Sequence, residues 1–84
     1  MSQGDPVAPS PSDSPKAGEV WRHYKKGDLY KIVDIALNSD DEWSVVYAPM
    51  YEGAVARLFT RPVAQWREAV EWQGSNVERF TRVD

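Results

Sequence analysis

The chain has 84 residues, with 10 Lys and Arg against 13 Asp and Glu, a formal charge of −3, no cysteine and a single histidine. A thiolate nucleophile, a disulfide framework and the usual zinc ligand sets are excluded, because each needs residues the chain lacks. Non-specific binding to duplex DNA is disfavoured, since it draws most of its energy from many cations neutralising phosphates, and here the cations are outnumbered. No uninterrupted apolar run approaches the ~20 residues of a membrane span, and the N-terminus lacks a secretory n-region and h-region. The expectation is an unprocessed, soluble protein of a reducing cytoplasm, with no cofactor, metal or membrane partner.

Residues 1–17 hold four of the six prolines and four serines, with Val7 as the only large aliphatic residue after Met1. Such a segment cannot bury enough apolar surface to offset its ordering entropy, so it reads as a disordered tail. A single small β domain is expected over 18–84. A domain this size hides only about 60% of its unfolded surface and has few kcal/mol in reserve, so most of its large apolar side chains must be structural.

After the tail the punctuation is that of β structure. Val20 to Tyr24 reads as a short strand, Lys26-Gly27-Asp28 as a turn, and Leu29 to Leu37 as a long strand rich in β-branched residues. Asn38 to Asp41 forms the next turn, and Trp43 to Ala48 a third strand. Pro49 to Ala54 is a loop before a fourth strand over Val55 to Thr60. Pro62 opens a short helix, with Val63, Trp66, Arg67 and Val70 at i, i+3, i+4 and i+7, and Gly74 stops it. Val77 to Val83 alternates again as a fifth strand. The class is mainly β: five short antiparallel strands and one short helix, arranged as a small, partly closed SH3-like barrel. An open sheet with the helix across one face is the alternative.

Gly18, Trp21, His23-Tyr24-Lys25, Gly27, Tyr30, Ala36, Val46-Tyr47, Tyr51, Arg61-Pro62, Trp66, Val70, Gly74 and Arg79-Phe80 keep the order and spacing of a known pattern. In these residues the chain resembles bacterial domain-of-unknown-function family 1653 over essentially its whole folded part. The resemblance implies a small bacterial protein and brings no activity with it. Three positions depart from the pattern: Leu37-Asn38 where a second histidine is usual, Phe59-Thr60 where a tryptophan precedes the Arg-Pro, and Glu78 where proline is common. A mechanism needing two imidazoles is thereby disfavoured.

Six residues are candidates for a ligand site. His23, beside a turn, reads as a structural hydrogen-bonder, a ligand contact or a general acid/base, the last requiring a nucleophile and an orienting partner that the sequence does not show. Lys25 with Lys26 and Gly27 could present cations and backbone N–H groups to an anion. Arg61 is biased toward extended backbone by Pro62 and precedes a helix N-terminus, a setting suited to a phosphate or carboxylate; its competing role is an ion pair with Glu68 or capping of carbonyls. Tyr30, Tyr47 and Tyr51 can each bury a ring and leave a hydroxyl at a cleft. Trp66 reads as core, and Asp40-Asp41-Glu42 as a solvated turn.

These residues give a non-catalytic binding module for a small anionic ligand, such as a nucleotide or an exposed RNA segment. A protein-interaction domain using a sheet edge or the Ala48-Pro49-Met50-Tyr51 loop is the alternative. A small enzyme using His23 and Arg61 is the third reading.

Overall fold

The computed structural model describes residues 14–83. Residues 1–13 of the expected tail lie outside the described residues, while Ser14 and Pro15 are buried and the Lys16 carbonyl accepts the Glu19 N–H at 3.1 Å. No helix among the described residues is long and apolar enough to cross a membrane.

Strand β1 (Val20–His23) runs antiparallel to β2 (Leu29–Leu37). Their connection is closed by the His23 N–H on the Asp28 carbonyl (2.9 Å) and the Gly27 N–H on the His23 carbonyl (3.1 Å). Gly27 adopts φ +77°, and a Cβ there would meet only Arg22 Cδ at 3.9 Å, so backbone conformation rather than space calls for glycine. The turn into β3 (Trp43–Pro49) is organised by one side chain: Asn38 Oδ1 accepts the N–H groups of Asp40 (2.8 Å) and Glu42 (3.0 Å). Asparagine suits that position because its short amide can substitute for a backbone turn bond.

β2 carries a bulge between Ile32 and Asp34. Ile32 and Ile35 are separated by an odd number of positions and would point to opposite faces of a regular strand. The extra residue, exposed Val33, lets both join one face, where Ile32 pairs with Tyr47 and Ile35 with Val45.

β4 (Phe59–Pro62) pairs with β3, and β7 (Phe80–Arg82) with β1, giving a five-stranded antiparallel order β4-β3-β2-β1-β7. The sheet is open: β4 and β7 are its edges and are not hydrogen-bonded to each other, so the barrel expected from sequence is replaced by the open-sheet alternative. The two edges are instead bridged by side chains, with Arg61 Cζ of β4 5.6 Å from the Phe80 ring centroid of β7. The sheet therefore curls around its inner face. That face and α1 (Val63–Trp66) supply the core of Ile32, Val45, Tyr47, Val63, Trp66 and Phe80. Trp66 stacks on Phe80 at 3.7 Å and 2°, and meets Tyr47 edge-on at 4.9 Å.

Three expectations of the C-terminal half are corrected. The fourth strand lies at Phe59–Pro62, not 55–60, because the restriction proline places on Arg61 extends the chain up to Pro62 itself. Val55 is left 94% exposed in irregular backbone. The helix is a single turn, since Val70 and Trp72 alternate with Ala69 and Glu71 as β5 (Ala69–Trp72) and form a hairpin with β6 (Ser75–Glu78). The expected strand over 77–83 is broken at Arg79, so that Val77 belongs to this hairpin and Phe80 to the main sheet. Val70 fits both patterns, at i+7 from Val63 and i+4 from Trp66 on a helix and two residues before Trp72 on a strand, which is why the hairpin was hidden.

The hairpin turn is Gln73-Gly74, with φ +53° and +85°. Both values match a type I′ turn, in which asparagine tolerates the left-handed region better than glutamine does. Gln73→Asn is expected to stabilise the domain by roughly 0.5 kcal/mol in urea unfolding. A loss of stability would show that the Gln73 side chain contributes something its backbone does not reveal.

Candidate functional site

Along the inner face, α1 covers the centre and leaves the rings nearest the β3–β4 connection uncovered. There a cleft of about 340 Å³ is lined by Tyr30, Tyr47, Tyr51, Gly53, Ala54, Val55, Phe59 and Arg61. Four of the six candidate residues thus meet in one place. Tyr30 and Tyr47 face each other from β2 and β3 at 5.2 Å and 83°, and Tyr51 closes the rim edge-on to Tyr30 at 5.7 Å. The Tyr30 and Tyr51 hydroxyls are 3.2 Å apart. Either can donate, and whichever accepts keeps its own O–H for another partner. Burial first, and the hydrogen bond to Tyr51 second, push the Tyr30 hydroxyl above the ordinary phenol range, so it stays protonated.

Among the described residues, Arg61 is the only charged side chain lining this cleft. Its Nε is buried and has no hydrogen-bond partner among the described residues, and no described carboxylate pairs with it. The structural role weighed for it falls to another residue: Arg79 bonds Glu68 Oε1 at 2.9 Å and the Gln65 carbonyl at 3.1 Å. A guanidinium whose Nε–H is held out of water without an acceptor has lost favourable free energy that an acceptor-rich ligand would restore.

His23 and Lys25 stand apart from the cleft lining. The His23 ring lies edge-on to Phe80 at 5.1 Å, on the same inner face as Arg61, and its Nδ1 accepts the Lys25 N–H at 3.2 Å. Lys25 itself is exposed in the turn and contributes that backbone donor. Burial, then the positive charges of Arg61 and Arg79, lower the imidazole pKa from its ordinary value; Asp28 opposes them and Lys25 adds to them.

Sequence reasoning missed Phe59 and Phe80, the rings beside Arg61, and the Gly53 to Val55 rim. Phe59 shares the face of Arg61 by simple alternation, a signal obscured by ending the strand at Thr60. The Arg61–Phe80 approach joins two sheet edges, and no local pattern encodes it.

A second cavity, about 320 Å³, lies behind Trp66 and Phe80, lined by Trp21, Arg67, Glu78, Thr81 and Arg82 as well. Its Arg82 is paired with Glu19 at 3.2 Å.

The family described as a protein of unknown function (DUF1653) matches residues 19–82. The crystal structure of a protein of that family from Bordetella bronchiseptica is similar to this chain, with 35% identity and a TM-score of 0.74, over 84% of this chain and 88% of that one. Among curated proteins, none matches.

Proposed function

The chain belongs to the DUF1653 family, whose function is unknown, and from the geometry of its own cleft we propose that it is a non-catalytic binding module for a small anionic ligand such as a nucleotide. One observation carries the reading: Arg61 lines an aromatic cleft with its Nε buried and its charge unpaired among the described residues. The anionic group sits against the guanidinium, where a charge-assisted hydrogen bond is worth roughly 1.5–3 kcal/mol. The planar part of the ligand packs on the rings of Tyr30, Tyr51 and Phe59, each able to stack a base for ~1–3 kcal/mol. A volume of about 340 Å³ is at the small end of ligand sites and fits one nucleotide, free or at an exposed position of an RNA segment. The described lining residues offer a cation, hydroxyls and ring surface, and among them no carboxylate or imidazole to move a proton, which favours binding over turnover.

Titration with AMP, followed by two-dimensional amide NMR, tests this. Shifts are expected at Gly53, Ala54, Val55, Phe59 and Arg61, with little change at Thr81 and Arg82 beside the second cavity. Silence in the cleft at millimolar AMP would contradict the proposal. A protein-interaction reading is favoured by a different feature, the exposed Met50 (52%), Val55 (94%) and Leu58 (52%) on the loop that rims the cleft. It leads if the cleft amides stay unmoved by every small anion tried.

A further inference from the structure

Anion binding at Arg61 places a negative charge on the far side of a cluster that also holds the only histidine. Arg61 Cζ lies 5.6 Å from the Phe80 ring centroid and the His23 ring 5.1 Å from it, so one side chain of β7 touches both. The His23 tautomer is fixed by its neighbour: an Nδ1 that accepts the Lys25 N–H must carry a lone pair, which puts the proton of the neutral ring on Nε2. Forming the imidazolium therefore means giving up that 3.2 Å bond as well as adding charge beside Arg61.

We propose, resting on the cleft reading above, that His23 is a proton-linked partner of the anion site, so that occupation of Arg61 by an anion draws a proton from solvent onto the imidazole and acidification tightens binding in turn. The charges facing His23 come from every element around it: Arg61 from β4, Arg79 from the segment between β6 and β7, and Lys25 and Asp28 from the turn after β1, with the Tyr24 ring 4.7 Å away. Arg79 already has Glu68 as a counter-ion at 2.9 Å, and Lys25 is exposed. Arg61 is thus the unscreened cation of the group, and the one whose field a ligand can cancel.

The sign follows from linkage. An anion that offsets the Arg61 charge raises the His23 pKa from a value already held below the ordinary 6.5. Affinity is then highest below the free-state pKa, falls as pH rises through the gap, and is constant above the bound-state pKa. A gap of one pH unit corresponds to a tenfold change in affinity. Two charges that share the Phe80 ring as a neighbour on a partly solvated face are expected to give about three- to tenfold.

Because there is one histidine, its ring nitrogens can be followed without ambiguity by long-range proton–nitrogen NMR from pH 4.5 to 8. The expected results are an Nε2–H tautomer in the full chain, a titration midpoint that rises when saturating sulfate, which does not itself titrate in this range, is added, and a midpoint that rises in Arg61→Ala without any ligand while Arg61→Lys stays near the parent. AMP at pH 8 serves as the independent check on cleft occupancy. If AMP or sulfate moves the cleft amides but the His23 midpoint stays put, the coupling is overturned and the binding reading stands. An unmoved midpoint in a folded Arg61→Ala overturns it too, and if no anion binds at any pH the coupling and the binding reading fall together.

Discussion

Trp66→Ala should leave the protein largely unfolded at 25 °C. Trp66 is 1% exposed and stacked face to face on Phe80, with Tyr47 and Trp21 edge-on to it at 4.9 and 5.7 Å, so one truncation removes the common partner of three rings. Deleting a buried tryptophan costs roughly 3–5 kcal/mol, and a domain of this size holds about that much in total. One term opposes the loss: Trp66 Nε1 is buried without a hydrogen-bond partner among the described residues, and removing it relieves ~1 kcal/mol. The packing term is several times larger and decides the outcome. Trp66→Phe keeps a ring against Phe80 and should remain folded with a smaller loss. Urea unfolding followed by circular dichroism separates the two; an alanine variant with an unchanged midpoint would mean that α1 is not part of the core.

Arg61→Ala should behave in the opposite way, folding normally and failing to bind. Among the described residues it gives up no hydrogen bond or ion pair, only its contact with Phe80, worth ~0.5–1 kcal/mol at a half-exposed site. The loss of a charge-assisted contact to the ligand is larger, so AMP affinity should fall roughly tenfold to a hundredfold in calorimetry. Arg61→Lys should recover part of it, because an ammonium keeps the charge but not the forked geometry. If Arg61→Ala unfolds instead, the arginine is holding the two sheet edges together and the cleft loses its central group.

What was legible in the sequence, and what was not, divides along the chain. The first three strands could be read locally, since Gly27 and the Asn38 turn mark their ends and Trp21 and His23 share a face through alternation. Tyr30, Tyr47, Tyr51 and Arg61 were recognisable as cleft candidates because each combines an apolar body with a polar tip. That they meet was not legible, for it depends on the bulge at Val33, which resets the register of β2, and on the curl that brings β4 to Phe80. The C-terminal third misled because Val70 continues the helical spacing of Val63 and Trp66 while also alternating with Trp72 as a strand, and Gln73-Gly74 is a weak hairpin signal compared with Asn-Gly. Lys25 drew attention as a cation, yet its structural contribution is the backbone N–H that sets the His23 tautomer.

The most direct measurement is a crystal structure of the protein grown with AMP. The phosphate is expected within hydrogen-bond distance of the Arg61 guanidinium and the base against Tyr30, Tyr51 or Phe59, with the Gly53 to Val55 rim around it. Density for the nucleotide in the second cavity between Trp21 and Arg82, or on the Lys25-Lys26 turn with the tyrosine cleft empty, would contradict it.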